Sequence, residues 1–209
     1  MTTSAHNPNK LLSEAGFTLV EMLVALVVAL LGMSAILVAD LGQHQSYNAQ
    51  LQIADARQKA RSVIAILRSD LVMATTFTAA AQTSFAIVRV DGVPVTYSLA
   101  VDGNGVGQLQ RREGAGSLDV FAEGIDGLEF RYLNNNGAPA PLNNIPIVAI
   151  AVVSRASGID PRFRDGNDYR ILYDNRAWPQ ANLNSGPLTD NFHRKFWTET
   201  VVCRNQQQE

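Results

Sequence analysis

The sequence has few of the residues that build catalytic or metal sites. It contains one cysteine, Cys203, and three histidines, His6, His44 and His193, which are far apart along the chain. Catalytic triads and zinc sites need several such groups close together. We therefore predict no catalytic residue, no metal site and no cofactor. A single cysteine also excludes an internal disulfide within these 209 residues, so the folded part must depend on its hydrophobic core.

The charge balance gives no sign of a nucleic-acid partner. The formal net charge is −2, and lysine and arginine are scattered rather than clustered. Nucleic-acid binding usually needs a basic patch, so none is expected here. With 46% hydrophobic residues, the chain has room for one membrane-spanning helix and one globular domain of roughly 130 residues.

Helix-breaking residues are scarce in the N-terminal third. No proline lies between Pro8 and Pro94, and Gly32 and Gly42 are the only glycines between positions 17 and 73. Because nothing forces a break, we predict one very long helix that ends near residue 75.

The first part of this helix is apolar enough to cross a membrane. From Met22 to Ala39 no residue is charged. A helix of that length spans roughly 27 Å at about 1.5 Å per residue, close to the thickness of the hydrocarbon layer. Glu21 stands at the start of this run, where a charge near lipid is costly and usually has a partner or a function. A plain signal anchor would explain the apolar run but not Glu21.

The distal half of the helix and the rest of the chain predict an α+β fold. Apolar residues recur at helical spacing at Ala60, Val63, Ile64, Leu67 and Leu71. After Thr75 the pattern becomes the alternation of strands, with Asp91-Gly92 as a hairpin turn. The fold class is therefore a long N-terminal helix packed on a mainly antiparallel β-sheet. Predicted strands cover residues 85–90, 93–101, 108–112, 118–122, 128–133, 146–154 and 195–203.

One predicted strand and one long loop are distinctive. Residues 147–153 are apolar at every position, which predicts a central strand buried on both faces. Residues 155–193 are rich in Gly, Pro, Asn and Asp, with a further strand possible at Tyr169–Tyr173. A loop this long often carries binding or assembly specificity.

Two acidic stretches have some features of calcium loops. One begins at Asp102 and continues Gly-Asn-Gly, but it lacks the distal glutamate of such a loop, so a hairpin turn is favoured. The other lies in the long loop, where a solvated acidic loop is favoured over a calcium site. Its residues are Asp160, Asp165, Asn167, Asp168 and Asp174.

The segment Gly16-Phe-Thr-Leu-Val-Glu-Met22, followed by an apolar helix, resembles the N-terminal signature of type IV pilins and type II secretion pseudopilins. The resemblance implies that prepilin peptidase cuts between Gly16 and Phe17 and that Phe17 becomes the N-methylated first residue. It also implies that Glu21 acts in filament assembly by neutralising the terminal amine of a neighbouring subunit. Physical chemistry agrees, since pairing relieves two charges that are costly in hydrocarbon.

The resemblance divides the chain into four segments. Residues 1–16 are the prepilin leader, 17–39 the transmembrane and filament-core helix, 40–75 the amphipathic stem and 76–209 the globular β-rich head. Lys10 and the amino terminus favour a cytoplasmic leader, which sends the head outward. The expected location is the bacterial inner membrane, with a single span and a periplasmic head, and later the pilus at the cell surface.

A looser resemblance concerns the head. Gly127–Tyr132, the strand after Pro146 and the closing 194–205 segment are similar to PilW-type minor pilins and to J-type pseudopilins. The first implies a structural subunit that helps to initiate pilus assembly or forms the tip, and not an enzyme. Its partners are prepilin peptidase, other minor pilins, the major pilin, the inner-membrane assembly platform and the lipid bilayer. The alternatives are a J-type pseudopilin of a type II secretion system and a membrane-anchored module that binds a ligand or DNA.

Overall fold

One helix accounts for nearly all of the described residues up to Val72. The computed structural model describes residues 17–167, 169 and 190–206. Helix α1 runs without interruption over Leu19–Val72, which confirms the predicted long helix. The chain divides into two compact units, Met1–Ser46 and Tyr47–Glu209, and α1 contributes to both.

In the first unit, the helix has an apolar surface that no described residue covers. Every residue from 17 to 46 is exposed, including large side chains such as Leu23, Leu31 and Ile36. Within the described residues, α1 is the one helix whose length and composition suit a membrane span. A helix that is apolar on all sides needs lipid or other helices around it.

Within its described residues, the second unit holds eight strands in two antiparallel sheets. The five-stranded sheet has the order β1-β2-β3-β4-β5, and the three-stranded sheet the order β6-β7-β8. The α+β fold class predicted from the sequence is therefore confirmed. The strands are β1 (Ala74–Ala80), β2 (Ser84–Arg89), β3 (Pro94–Val101), β4 (Gly107–Glu113), β5 (Asp119–Glu123), β6 (Ile125–Leu133), β7 (Ile147–Arg155) and β8 (Arg194–Val202), followed by a short 3₁₀ helix at Arg204–Gln206.

One of these elements differs from the sequence prediction, and one hairpin agrees with it in detail. Strand β1 was not predicted, because its sequence Ala-Thr-Thr-Phe-Thr-Ala-Ala has few large apolar residues to set an alternation. The hairpin of β2 and β3 turns at Asp91-Gly92 as predicted. Gly92 has a φ of 79°, and its amide donates to the Arg89 carbonyl oxygen at 2.8 Å.

The core lies between the C-terminal half of α1 and both sheets. The buried face of the helix consists of Ala56, Ala60, Val63, Ile64, Leu67, Asp70 and Leu71. It packs with strand residues such as Phe85, Leu128 and Ile150 in one cluster. Strand β7 is central in its sheet and buried on both faces, which confirms the prediction for residues 147–153.

The main chains of the two sheets lie very close together at Gly107 in β4 and Ile125 in β6. A Cβ atom at Gly107 would lie 1.9 Å from the Ile125 carbonyl oxygen, so the position admits only glycine without a shift of the main chain. Glycine at the start of β4 therefore allows the two sheets to share one core.

A buried ionic network joins the end of α1 to the five-stranded sheet. Asp70 accepts a hydrogen bond from the Tyr97 hydroxyl at 2.6 Å. It also forms ion pairs with Arg89 at 3.2 Å and with Arg111 at 3.1 Å. Burial and the neighbouring Asp70 carboxylate raise the pKa of Tyr97 above its usual value. A carboxylate in the last turn is disfavoured by the helix dipole, and the two arginines offset this cost.

We expect Leu67→Ala to lower the free energy of unfolding of the head by about 2–5 kcal/mol, because it leaves a cavity between helix and sheets. Leu67 is fully buried. The measurement is chemical denaturation of the detergent-solubilised full chain, followed by tryptophan fluorescence. Leu51→Ala is the matched control, since Leu51 lies on the same helix and is 50% exposed. Equal unfolding midpoints for the two variants would contradict the assigned core.

Candidate assembly site at the start of the helix

The first turn of α1 is closed by a reciprocal pair of hydrogen bonds. The Glu21 amide donates to Thr18 Oγ1 at 3.2 Å, and the Thr18 amide donates to Glu21 Oε2 at 3.0 Å. The Thr18 hydroxyl also donates to Glu21 Oε2, at 2.9 Å. This arrangement is a capping box, with Thr18 as the N-cap and Glu21 three residues further on. It satisfies amides that the first helical turn leaves without partners.

Sequence reasoning singled out Glu21 but missed Thr18. The signal was present, since Thr-Leu-Val-Glu matches the Ser/Thr-x-x-Glu pattern that begins a helix. Glu21 therefore has a local role inside its own chain. Both bonds from Thr18 use Oε2, and no hydrogen bond to Oε1 forms among the residues described. This second oxygen remains available to an incoming donor.

The Glu21 carboxylate is part of an otherwise apolar surface. It lines a shallow surface depression together with Phe17, Val20, Val24 and Val28. Phe17 is 82% exposed and Glu21 is exposed beside it. A carboxylate on such a surface attracts a cation strongly once other helices or lipid exclude water. Gly16, the other predicted processing residue, lies outside the described residues.

The described histidines are dispersed, and each is paired with an acid. His44 lies 3.5 Å from Asp40 on the exposed part of the helix. His193 Nε2 lies 3.0 Å from Asp160 Oδ2, and this hydrogen bond lowers the pKa of Asp160. Within residues 17–167, 169 and 190–206, no group of three or more metal-binding side chains is found.

In both acidic stretches, a carboxylate forms hydrogen bonds or an ion pair within the protein. Asp102 Oδ1 accepts from the amides of Asn104 at 2.9 Å and Val106 at 2.7 Å, so this carboxylate closes the favoured hairpin turn between β3 and β4. In the long loop, Asp165 is buried and paired with Arg194 at 3.2 Å. Asp168, Asp174 and most of the strand suggested at Tyr169–Tyr173 lie outside the described residues.

Comparison with known proteins agrees with this site. Residues 11–37 match the model of the prokaryotic N-terminal methylation motif. No curated protein matches the sequence significantly. Among solved structures, the type IV-like pilin TTHA1219 from Thermus thermophilus matches with a TM-score of 0.42 and 12% identity, over 72% of this chain and 97% of that one.

A structural similarity of that degree shows neither a family nor a function, and the N-terminal match is the one that bears on this site. There the methylation motif covers the capped start of α1, Glu21 and most of the exposed apolar helix. In its N-terminal segment the chain is therefore similar to proteins that carry the prokaryotic N-terminal methylation motif.

Proposed function

We propose that this chain is a minor pilin of a type IV pilus, which takes part in assembly initiation or in the tip complex. Prepilin peptidase cuts it between Gly16 and Phe17, and Phe17 is then N-methylated. Residues 1–16 are the leader, 17–39 the filament-core helix, 40–75 the stem and 76–209 the head. Before assembly, the protein resides in the bacterial inner membrane with its head in the periplasm.

The observation that best supports a minor role is that the head folds without an internal disulfide. Cys203 is fully buried, and burial raises the pKa of its thiol to about 12. Major pilins of the family usually close the head with a disulfide and bend the upper stem with a proline. This chain has one cysteine, and Val38 stands at the position where that proline would fall. Both departures favour a minor subunit.

The second part of the proposal is that Glu21 binds the terminal amine of a neighbouring subunit. The peptidase creates a new ammonium on Phe17, which is costly in a bundle of apolar helices. Glu21 is the one acid among residues 17–39 and keeps Oε1 available beside its cap. Its pairing with that ammonium relieves the cost on both groups.

The partners follow from this role. They are prepilin peptidase, the other minor pilins, the major pilin and the inner-membrane assembly platform. The exposed helix around Leu23 and Ile36 supports contact with lipid before assembly and with other pilin helices afterwards.

Deletion of the gene tests the minor-pilin role. We expect the deletion strain to lose most surface pili while it still secretes its type II substrates, and a plasmid copy to restore piliation. Pili are counted by electron microscopy, and secretion is measured in the culture medium. Normal piliation with blocked secretion would instead assign the chain to the type II system.

We expect Gly16→Glu to remain unprocessed in the membrane. The peptidase must bring its catalytic groups close to the main chain at the scissile bond, and a large charged side chain obstructs that approach. Immunoblotting of membranes measures the size of the product. A matched control is Ala15→Glu, which places the same charge one residue further from the bond. Normal processing of Gly16→Glu would overturn the cleavage site.

Replacement of Glu21 by glutamine tests the role of the charge separately from the role of the helix cap. Glu21→Gln keeps a capping-box side chain, whereas Glu21→Val removes both the cap and the charge. We expect both variants to insert and to be processed, and both to lose co-purification with the other pilins. The physical reason is that neither offers a carboxylate to the incoming ammonium.

Co-purification from solubilised membranes and pilus counts in the complemented deletion strain measure this effect. If Glu21→Gln assembles normally and only Glu21→Val fails, Glu21 serves the helix cap and not intersubunit pairing. Full assembly of both variants would remove Glu21 from the mechanism.

A further inference from the structure

The segment after β7 runs along α1 towards the N-terminal end of the second unit. Where β7 ends, Lys59 Nζ donates to the main-chain oxygen of Arg155 at 3.3 Å. Four residues later, Gln52 Nε2 donates to the main-chain oxygen of Ile159 at 3.4 Å. From Lys59 to Gln52 the helix axis advances about 10 Å. The chain therefore reaches the part of the second unit that directly follows the apolar segment of α1.

A tight turn at residues 159–164 lies at this end. The Phe163 amide donates to the Asp160 carbonyl oxygen at 3.0 Å. The Phe163 ring stacks on His193 with the ring centroids 3.8 Å apart, and His193 Nε2 lies 3.0 Å from Asp160 Oδ2. These contacts hold the turn against the residues that lead into β8.

The outward side of the turn is apolar and basic. Ile159 is 60% exposed. Arg162 and Arg164 are both exposed, and neither forms an ion pair with any residue that the structure describes. An aliphatic side chain and two guanidinium groups therefore face solvent together.

The acids near these arginines are engaged elsewhere and lie further in. Asp165 is buried and pairs with Arg194 at 3.2 Å, and Asp190 pairs with the same guanidinium at 2.6 Å. Asp160 is bonded to His193, and its side chain is 21% exposed. The two exposed guanidinium groups are therefore the outermost charges of the turn.

The helix at this end adds an exposed tyrosine. Tyr47 is the first residue of the second unit and is 60% exposed. Asp55, the one acid between positions 47 and 57, pairs with Lys59 at 3.5 Å and accepts from the Ser157 amide at 2.7 Å. Tyrosine and arginine beside an aliphatic side chain are typical of surfaces that meet the membrane–water interface. We call this surface the basic end, and it consists of Tyr47, Ile159, Arg162 and Arg164.

The chain itself keeps the basic end close to the bilayer. The uncharged run of α1 ends at Ala39, and Tyr47 follows eight residues later. Even a fully extended chain of that length covers no more than roughly 30 Å. In the membrane proposed above, the basic end is therefore tethered near the lipid headgroups, and a weak attraction is enough to bring the two together.

We propose that the basic end binds the anionic lipid headgroups of the membrane that anchors the chain. The guanidinium groups of Arg162 and Arg164 meet the phosphates, to which each offers several donors. Ile159 and Tyr47 enter the interfacial layer beside them. The inference rests on the membrane residence within the proposed function and not on the minor role. It adds to that function a lipid contact made by the second unit.

Lipid quenching in reconstituted vesicles tests this contact. The full chain carries Gly166→Cys, labelled with a fluorophore, because a Cβ atom at Gly166 finds nothing within 4 Å. Cys203 is buried and stays unlabelled. The vesicles contain phosphatidylcholine alone or phosphatidylcholine with phosphatidylglycerol, and some of the lipid carries a nitroxide on its headgroup. Quenching then measures how often position 166 lies next to the headgroups, and resistance to carbonate extraction shows that the chain is inserted.

We expect strong quenching with phosphatidylglycerol, weaker quenching in phosphatidylcholine alone, and loss of the difference in high salt. Arg162→Gln and Arg164→Gln should each lower the ratio of lipid-bound to free basic end roughly fivefold, the factor that about 1 kcal/mol produces. Arg112→Gln is the matched control, since Arg112 is an exposed arginine on β4 outside the basic end, and it should quench normally. The thermal unfolding of each variant shows that it is folded.

Equal quenching in the two lipid mixtures would overturn the inference. So would an equal loss in Arg112→Gln and in the two turn variants, which would indicate an effect of net charge alone. Quenching found only in native membranes, and not in vesicles of pure lipid, would assign the basic end to a protein partner instead.

The same experiment separates this inference from the proposed function. If carbonate extracts the chain, its membrane residence is wrong and the inference fails with it. If the chain stays inserted but phosphatidylglycerol does not increase quenching, the inference alone fails and the proposed function stands.

Discussion

Burial of one face of α1 against two sheets is the contact on which the head depends. Leu67 and Leu71 are fully buried there, and Asp70 between them gathers Tyr97, Arg89 and Arg111 around the end of the helix. With one cysteine, no covalent bridge adds to this core. The helix must therefore remain regular up to Val72, because a break earlier would misplace both the apolar face and the buried carboxylate.

The start of the same helix uses one carboxylate for two purposes. In the isolated chain, Glu21 closes the capping box with Thr18. In the proposed filament it also meets an ammonium from a neighbour. These uses are compatible because a carboxylate has two oxygens and accepts several hydrogen bonds. The cap holds the side chain near the helix start and reduces the rotamer entropy that pairing would otherwise cost.

Local signals made most of the architecture predictable from sequence. The absence of proline predicted the long helix, and the run of apolar residues predicted the central strand β7. Asp91-Gly92 predicted the hairpin turn between β2 and β3. Contacts between distant segments were not predictable. Nothing local to Gly107 indicates that its main chain meets Ile125, and the Asp70 network joins residues that only the fold brings together. At the candidate site, the motif identified Glu21, whereas the cap formed by Thr18 was missed although its Thr-Leu-Val-Glu pattern is present in the sequence.

The buried thiol has a consequence for the proposed export of the head. Cys203 has no exposed surface, and its raised pKa leaves almost no thiolate to react at neutral pH. Oxidants that act on exposed cysteines outside the cytoplasm do not reach it in the folded state. With one cysteine, no internal disulfide has to form within these residues, so folding of the head requires no thiol oxidation.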